Sequence, residues 1–331
     1  MIKDTKMNEI KIGIIGAGEV VKAIHVQGYR ECNHVEIRGI ASRNKKNAEI
    51  VAQAYNIPLV YSNYTELLCD SEINAVSICT PPSTHYDLAK EAIARGKHVL
   101  IEKPIATRLD EVVELANLAK KAQVVVQVVR NERFMELHLR VKEIVHSGEM
   151  GEVLAIVQSV STTGPESWAP QANWFRIPSI AGGGALLDLG VHKVDLATWI
   201  LDQEISDVSK PEVNRYPIEE LGALVLKIEN KVATIVASWK GPKDESSLQI
   251  IGSKGMLTAL GSTGDIFVSQ DGRIRREKAS APWSSSDHSP KGMILDFIER
   301  CLNGQRFTEL ELKLWDSGTR WVLEAYRKME E

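Results

Sequence analysis

Two carboxylates and a histidine recur at helical spacing within one apolar segment of the chain. Asp188, His192 and Asp195 stand at positions i, i+4 and i+7 of the sequence ALLDLGVHKVDLATWI, so a regular helix would present them on one face. A solvated face would be broad and rich in Lys and Glu, whereas this polar stripe is narrow and flanked by apolar residues. Because buried polar groups need partners, a histidine between two carboxylates is a candidate general base. The alternative is a core histidine with satisfied hydrogen bonds and a capping role for Asp188.

A lysine that could act on a bound ligand follows a short apolar run. Lys103 lies in the sequence Glu102-Lys103-Pro104, directly after the predicted strand His98–Ile101. Ligands of open α/β sheets bind beyond the carboxyl ends of the strands, so a lysine here would point toward a cofactor. Pro104 biases Lys103 toward extended backbone. Taken alone, Lys103 would be interpreted as a solvated surface residue, and the neighbouring motifs reverse that interpretation.

A glycine-rich turn follows the first apolar run. The run Ile10–Ile15 leads into Gly16 and Gly18, and the helical pattern Val20–Tyr29 comes next. Such a turn lets the backbone approach a pyrophosphate, while the helix N-terminus supplies amide donors. The strand before the turn and the helix after it strengthen this motif, for which an ordinary strand–helix turn is the alternative. Val21 replaces the third glycine of the dinucleotide fingerprint, so we expect the helix to lie slightly farther from the strand.

The end of the second predicted strand bears on the choice of cofactor. An NAD enzyme usually carries Asp or Glu about 20 residues after the glycine turn, to bind the ribose hydroxyls; here the chain has Ser42 and Arg43. Ser42 leaves room for a 2′-phosphate, and Arg43 can pair with it or lie over the adenine. Lys45 and Lys46 add positive charge or simply face solvent. We expect NADP to be preferred and NAD to be tolerated; the alternative is that Arg43 only stacks on adenine and both are accepted.

The first part of the chain alternates fully apolar strands with helices. This alternation is typical of a parallel sheet covered on both faces, the doubly wound α/β architecture of the Rossmann type. The predicted strands are Ile10–Ile15, Val35–Ala41, Ala75–Cys79, His98–Ile101 and Val124–Val129, and the predicted helices are Val20–Tyr29, Asn44–Tyr55, His85–Arg95 and Leu109–Lys121.

The second part gathers its strands together, which is typical of an α+β domain with an antiparallel sheet. We therefore predict a dinucleotide-binding domain at residues 1–130 and a second domain at 131–331. Its predicted strands are Val153–Thr162, Ala223–Ile228, Lys231–Trp239, Leu248–Ile251 and Met256–Leu260; its helices are Glu136–His146, one that runs from Gly182–Gly184 to Ile200, Gly292–Leu302 and Glu309–Met329; its tight turns are Asn230-Lys231 and Ser253–Gly255, and a mobile loop is expected at Ala279–Pro290.

Composition excludes several classes of function. The chain has 331 residues and a net charge of −4, which argues against a nucleic-acid partner. No apolar run is long enough for a membrane helix, and the N-terminus lacks the apolar core of a signal peptide. The four cysteines, Cys32, Cys69, Cys79 and Cys301, form no C-x-x-C pair and no zinc-ligand spacing with histidine, so we expect free thiols, no metal, and a cytoplasmic location.

Taken together, these motifs resemble those of the Gfo/Idh/MocA oxidoreductase family. The resemblance covers nearly the whole chain and rests on four segments in order: GIIGAGEVVKAIH at residues 13–25, CTPPSTH at 79–85, EKP at 102–104 and GGGALLDLGVHKVD at 182–195. It implies a Rossmann domain joined to an α+β domain whose open, mostly antiparallel sheet often forms oligomer contacts. The family's catalytic lysine matches Lys103, and its aspartate and histidine match Asp188 and His192.

The resemblance also implies a cofactor and a set of residues that bind it. In that family the CTPP segment, which matches Thr80–Pro82 here, lies along the cofactor, and His85 ends the same motif. The residues assigned to the cofactor are Gly16, Gly18, Glu19, Val20, Ser42, Arg43, Thr80, Pro81, Pro82, His85, Glu102 and Lys103.

The expected activity is hydride transfer between NAD(P) and a hydroxyl or carbonyl carbon of a sugar, sugar derivative or cyclitol. His192 would be the general base or acid, Lys103 would donate to the reacting oxygen, and Asp188 would orient the substrate or the imidazole. Trp174 and Arg176 are candidate substrate contacts, with loop packing as the alternative.

Two other functions are compatible with the same fold. One is a nicotinamide-dependent glycosidase, and the other is a non-catalytic sensor of a dinucleotide or sugar, which the presence of Lys103 and His192 disfavours. Alternating apolar residues in Ala223–Ile228 and Val232–Trp239 give the second sheet a face that needs cover, so we expect a homodimer or homotetramer.

Overall fold

A computed structural model describes residues 8–279, 289–304 and 316–331. The chain clusters into two compact units: the first runs to Val129 and takes in the chain from Pro290, and the second comprises Arg130–Ser289 and the chain from Asp316. The boundary predicted after residue 130 lies one residue beyond the observed boundary after Val129.

The predicted domains differ more at the C-terminal end, where the helix Ser289–Asn303 groups with the first unit. Gly28 allows the side chain of Ile294 to pack closely, since a Cβ there would lie 2.3 Å from the Ile294 Cδ1. The Gln127 amide also donates to the carbonyl of Met293. Contacts so distant in sequence give no local signal, which explains the difference.

The first unit is built on a parallel six-stranded sheet, which confirms the predicted doubly wound fold. Its strands are Ile10–Ile15 (β1), Val35–Ala41 (β2), Leu59–Tyr61 (β3), Ala75–Ile78 (β4), His98–Ile101 (β5) and Val126–Val128 (β6). They lie in the order β3-β2-β1-β4-β5-β6, and β1, β4 and β5 are almost completely buried, as expected for strands covered on both faces. The helices of this unit, besides Ser289–Asn303 and the one that follows β1, are Lys45–Tyr55, Tyr64–Cys69, His85–Ala94 and Leu109–Ala122. The sequence did not predict β3 or the helix Tyr64–Cys69, because segments this short have little periodicity.

The helix after β1 begins with an unexpected turn. Val21–His25 is wound as a π-helix, and an α-helix continues at Val26–Arg30. Val21, at the position of the missing third glycine, is fully buried. A wider first turn therefore accompanies the larger side chain at this point.

The second unit carries a nine-stranded sheet. Its strands are Val153–Ser161 (β7), Asp207–Val208 (β8), Glu212–Val213 (β9), Leu221–Ile228 (β10), Lys231–Ser238 (β11), Glu245–Gly252 (β12), Met256–Leu260 (β13), Asp265–Gln270 (β14) and Arg273–Lys278 (β15). They lie in the order β15-β14-β13-β12-β7-β11-β10-β8, with β9 paired to β10, and all pairs are antiparallel except β7–β11, which is parallel. The mostly antiparallel sheet is as predicted, although β8, β9, β14 and β15 were not. The turn between β10 and β11 is Glu229-Asn230, with Glu229 at φ 52°, one residue earlier than predicted.

The helix that carries the polar stripe is less regular than the sequence predicted. A short helix, Pro178–Ala181, precedes the glycine triplet; Leu186–Gly190 is then wound as a π-helix, and an α-helix continues at Val191–Leu201. The other helices of this unit are Glu136–His146, as predicted, and Ser317–Glu330.

A buried carboxylate fixes the start of the helix that carries the polar stripe. Glu219 is fully buried, and its carboxylate accepts hydrogen bonds from the backbone N–H groups of Gly184 and Leu186 at 3.1 and 2.8 Å. The Tyr326 hydroxyl donates to the same carboxylate at 2.6 Å. A Cβ at Gly184 would lie 1.9 Å from the Glu219 carbonyl oxygen, so only glycine allows this approach.

Two sequence predictions fall partly outside the described residues. Of the loop predicted at Ala279–Pro290, the structure describes only Ala279 and the last two residues, Ser289 and Pro290, which already belong to the helix Ser289–Asn303. The helix predicted at Glu309–Met329 is described only from Ser317 onward. None of the described helices is long and apolar enough to cross a membrane.

Candidate active site

The glycine turn at the end of β1 is closed toward the protein and open toward the outside. Gly16 adopts φ +118°, and a Cβ there would lie 2.4 Å from the carbonyl oxygen of Cys79. Gly18 is exposed, and a Cβ there would meet nothing within 4 Å. Glu19, next in the chain, is exposed and pairs with Lys22 at 2.7 Å. The open space at Gly18, at the start of a helix, has the character of a pyrophosphate cradle, so the residues present fit the cofactor that the sequence implies.

The loop after β2 exposes positive charge at the expected place. Ser42 is half-buried, and Arg43, Lys45 and Lys46 are exposed. The backbone N–H of Arg43 donates to the Tyr64 hydroxyl at 3.0 Å. This contact is one that the sequence did not indicate, because Tyr64 begins the helix that was missed.

The loop after β4 is held from inside by a histidine. His85 is fully buried, and its two ring nitrogens lie 2.7 Å from the carbonyl oxygens of Pro104 and Thr80. Burial lowers the pKa of His85, against the two carbonyl contacts, which raise it. His85 thus ties this loop to the turn that follows Lys103, and both its ring nitrogens are engaged within the protein. Of the two prolines before it, Pro81 is half-buried and Pro82 is buried.

The residues around Lys103 form a buried network of polar contacts. Lys103 is half-buried at the carboxyl end of β5, and its peptide bond with Pro104 is cis. Glu102 is buried; one carboxylate oxygen lies 3.1 Å from His25 Nε2, and the other accepts the Lys103 backbone N–H at 3.3 Å. Burial alone would raise the pKa of Glu102, but the contact with His25, together with the nearby Lys103 and His85, lowers it. His25 Nδ1 lies 3.1 Å from Ser77 Oγ.

Glu102 therefore supports the lysine loop from inside the first unit. His25 was not predicted as a functional residue from the sequence, although a histidine on the apolar side of a predicted helix was a signal that could have indicated it. The carboxyl ends of parallel strands lie at the same edge of a sheet, so the glycine turn after β1 and Lys103 after β5 share one edge of this unit.

In the second unit, Asp188 has a partner that the sequence did not reveal. Asp188 lies in the π-helical turn and is only 6% exposed. The indole N–H of Trp239 donates to its carboxylate at 3.0 Å. His192 is half-buried, one residue into the α-helix that follows.

The predicted stripe of acid, histidine and acid needs a correction at Asp195. The Asp195 carboxylate is buried and accepts two hydrogen bonds from Arg133 at 2.6 and 2.7 Å, and Arg130 lies 3.1 Å away. Burial alone would raise the pKa of Asp195, but Arg130 and Arg133 outweigh it and lower the pKa. Burial also lowers the pKa of Arg130 to about 10. Asp195 is thus committed to two arginines, because Arg130 and Arg133 approach it from another segment of the chain.

A second buried ion pair lies beside His192. Lys193, which is 4% exposed, donates to both oxygens of Glu132 at 2.9 and 2.7 Å. Burial alone would raise the pKa of Glu132, but the Lys193 ammonium and the nearby His192 lower it to about 2. A buried lysine on a predicted apolar face was the signal in the sequence, but its partner was not identifiable.

Trp174 and Arg176, which the sequence suggests as substrate contacts, lie in the short helical turn Asn173–Arg176. Trp174 is half-buried and stacks on Phe175, with ring centroids 3.8 Å apart and planes 20° apart. The Arg176 guanidinium pairs with Glu166 and Glu220 at 3.0 and 2.9 Å, and Glu166 raises its pKa. Much of the donor capacity of Arg176 is therefore used within the protein.

Comparison with known proteins identifies related sequences for both parts of the chain. A sequence model described as an oxidoreductase family with an NAD-binding Rossmann fold, GFO_IDH_MocA, matches residues 10–130, and a model of the GFO/IDH/MocA C-terminal domain matches residues 138–258. The uncharacterized oxidoreductase YrbE of Bacillus subtilis is 32% identical over 200 residues, which are 60% of this chain and 56% of that protein. The myo-inositol 2-dehydrogenase of Thermotoga maritima is 24% identical over 267 residues, 78% of this chain and 75% of that protein.

A solved structure shares the fold over almost the full length. Levoglucosan dehydrogenase, in complex with NADH and levoglucosan, superposes with a TM-score of 0.83 at 20% identity, covering 97% of this chain and 98% of that one. The sequence matches are shorter: this chain spans only about half of the length of YrbE and of two further curated oxidoreductases, between 52% and 56%.

Substitution of the two glycines of the turn should affect different properties, ligand affinity at Gly18 and stability at Gly16. Gly18→Val should weaken binding of a dinucleotide at least about ten-fold and leave the melting temperature unchanged, because its side chain enters only the open space. Gly16→Ala should lower stability by about 1–3 kcal/mol, since it is strained at φ +118° and meets the Cys79 carbonyl. Calorimetric titration with NAD and NADP, together with thermal unfolding, measures both. Unchanged affinity in folded Gly18→Val would contradict pyrophosphate binding at this turn.

Proposed function

The chain belongs to the Gfo/Idh/MocA family of oxidoreductases with an NAD-binding Rossmann fold, and from that premise we propose that it transfers a hydride between a nicotinamide dinucleotide and a hydroxyl or carbonyl carbon of a sugar, sugar derivative or cyclitol. The observation that carries this proposal lies within the first unit: the glycine turn, open at Gly18, and Lys103 occupy the same edge of one parallel sheet. Ligands of doubly wound sheets bind at that edge.

The cofactor is proposed to lie along the loops that end β1, β2, β4 and β5. Gly16 and Gly18, with the first-turn residues Glu19 and Val20, receive the pyrophosphate. The half-buried Ser42 and the exposed Arg43 face the ribose and adenine, and Thr80, Pro81 and Pro82 flank the nicotinamide side. His85 and Glu102 belong to the same set and act by holding these loops from inside through their buried contacts.

Three side chains are assigned to the reaction. When bound, the nicotinamide ring supplies the hydride acceptor or donor. His192 takes the proton of the substrate hydroxyl in oxidation and returns a proton in reduction, and Lys103 donates from its ammonium to the reacting oxygen and stabilises its developing negative charge. Asp188 orients the substrate or the imidazole.

Trp174 and Arg176 are proposed to contribute to the substrate surface. The half-buried indole of Trp174 offers an aromatic face to the C–H groups of a sugar ring. Because two carboxylates hold the Arg176 guanidinium, this side chain is a rigid part of that surface. A small polyhydroxylated molecule is the substrate that fits such a combination of aromatic and polar groups.

The physiological assembly is proposed to be a homodimer or homotetramer. The inner side chains of β10 and β11, such as Leu224 and Ile235, are buried. The opposite face of the sheet exposes apolar side chains: Val157, Val225, Val232, Ile251 and Met256 are between 36% and 46% exposed. A contiguous apolar face on a sheet is a typical interface between subunits. A cytoplasmic setting fits the cysteines, all four of which are free.

A substrate screen tests the proposed function. The purified protein is incubated with a panel of sugars, glycosides, sugar phosphates, nucleotide sugars and cyclitols, with NAD and with NADP, and both the absorbance of the reduced nicotinamide and the release of free sugar are followed. Reduction of the cofactor by a polyol or sugar supports the proposal. Cleavage of a glycoside without net reduction would indicate the glycosidase, and cofactor binding without turnover of any compound would indicate a sensor.

Removal of the acid–base groups should abolish most of the activity. Lys103→Met and His192→Ala are each expected to lower kcat by about 100-fold or more, within the usual range for general acid–base catalysis, while cofactor affinity changes far less. Lys120→Met and His146→Ala, at exposed or half-exposed positions on other helices, are the matched controls. Near-normal turnover of either folded site variant would refute its assignment.

The choice of cofactor should depend on Arg43. We expect kcat/KM to favour NADP over NAD, because Ser42 and Arg43 stand where a carboxylate would repel the 2′-phosphate. Arg43→Ala should reduce the ratio of kcat/KM with NADP to kcat/KM with NAD. Arg30→Ala, which removes an exposed arginine elsewhere in the first unit, should leave that ratio unchanged. A wild-type ratio that favours NAD, or one unaffected by Arg43→Ala, would contradict this preference.

The exposed sheet face should govern assembly. Light scattering at micromolar concentration is expected to give the mass of a dimer or tetramer. Val225→Lys, in the middle of that face, should shift the protein toward smaller species, because burying an unpaired ammonium is costly. Leu139→Lys replaces an equally exposed apolar residue on the helix Glu136–His146 and should leave the mass unchanged. A monomeric wild-type protein would rule out this assembly.

A further inference from the structure

We propose that Trp239 is a positioning residue for the reaction, which acts by fixing the carboxylate of Asp188 through its indole N–H. The inference rests on the proposed role of Asp188 and assigns to the second unit a functional residue that no sequence motif indicates. The contact itself is short and buried: the indole nitrogen lies 3.0 Å from Asp188 Oδ2, and Trp239 is 2% exposed.

The backbone holds Trp239 in place from one side. Trp239 directly follows β11, and its backbone N–H donates to the carbonyl of Glu220 at 2.7 Å. The same segment supplies Glu219, which caps the start of the helix that bears Asp188. The donor and the acceptor are therefore anchored to one another through the chain around residue 220.

Two further side chains contact the indole ring. Phe175 meets it edge to face, with ring centroids 6.2 Å apart at 90°. The Arg176 guanidinium lies over the ring, 5.1 Å from its centroid, and is itself held by Glu166 and Glu220. Since an indole has a single N–H and no acceptor, a ring that cannot swing directs its one donor at Asp188.

A fixed donor matters because of where Asp188 lies. Its π-helical turn, Leu186–Gly190, presents the carboxylate without the regular spacing of an α-helix. The terminal torsion of an aspartate is soft, so a hydrogen bond from a rigid partner fixes the orientation of the Asp188 carboxylate. Hydrogen bonds to charged groups are among the stronger ones in proteins.

Replacement of the indole by a phenyl ring isolates the N–H. Trp239→Phe keeps an aromatic ring against Phe175 and under Arg176, and removes only the donor and part of the ring. We expect kcat/KM for the best substrate of the screen to fall about 10-fold to 100-fold, the range for a lost hydrogen bond to a charged group, with KM for the cofactor unchanged. The control is Trp199→Phe, which removes an indole N–H from the same unit, at a residue whose ring packs with Lys142 instead.

A double-mutant cycle separates positioning from a general loss of structure. If Trp239 acts through Asp188, then Trp239→Phe in the background of Asp188→Ala should cause no further loss of kcat/KM, because interacting residues are not additive. Equal losses in the two backgrounds would overturn the proposal, and so would a Trp239→Phe enzyme with wild-type kcat/KM, whatever its melting temperature.

Nuclear magnetic resonance reads the contact without any substrate. The chain has seven tryptophans, and ¹⁵N-labelled indole groups give one signal each; Trp239→Phe identifies the signal of Trp239. Asp188→Ala should move that signal upfield, as expected when a hydrogen bond to a carboxylate is lost, whereas Trp199→Phe should leave it in place. A Trp239 signal that ignores Asp188→Ala would overturn the proposal, and this result is distinguishable from a failed substrate screen, which would count against the proposed function.

Discussion

The buried carboxylate of Glu219 is the interaction on which the second unit depends. It accepts two backbone N–H groups at the start of the helix that bears Asp188 and a third hydrogen bond from Tyr326, near the end of the chain. Burial raises the pKa of Glu219, and the hydrogen bonds oppose that shift. A helix start buried without such a partner would leave unsatisfied donors at a cost of about 1–3 kcal/mol each. Gly184 follows from this requirement, because a side chain there would clash with the backbone of Glu219.

The first unit uses the same physical device at its functional edge. His25 and Glu102 form a buried pair behind Lys103, and His85 holds the loop after β4 against the turn that follows it. Each of these side chains is a polar group whose burial is tolerated only because partners satisfy it. The result is that the loops after β4 and β5 are held from their inner sides by hydrogen bonds.

Much of this architecture could be predicted from the sequence because it depends on short-range patterns. Fully apolar runs alternating with helical periodicity gave the parallel sheet, and Gly16 with Gly18 between a strand and a helix gave the turn. The strands β3, β8 and β9 escaped prediction because two or three residues have no measurable period. Likewise, the spacing of Asp188, His192 and Asp195 predicted a functional stripe, but it could not predict the partners of Asp188 and Asp195, since none of them is a sequence neighbour.

The sequence by itself determined which residue types occur at the ends of the strands and on the polar stripe. Only the tertiary structure decided what each one does. It committed Asp195 to Arg130 and Arg133, which are more than sixty residues away, and it gave Asp188 a donor in Trp239, fifty-one residues away. A carboxylate and its spacing are fixed by the covalent chain, whereas its partner is fixed by packing. Because the charge and orientation of a buried group depend on that partner, its chemistry is decided only when the chain has folded.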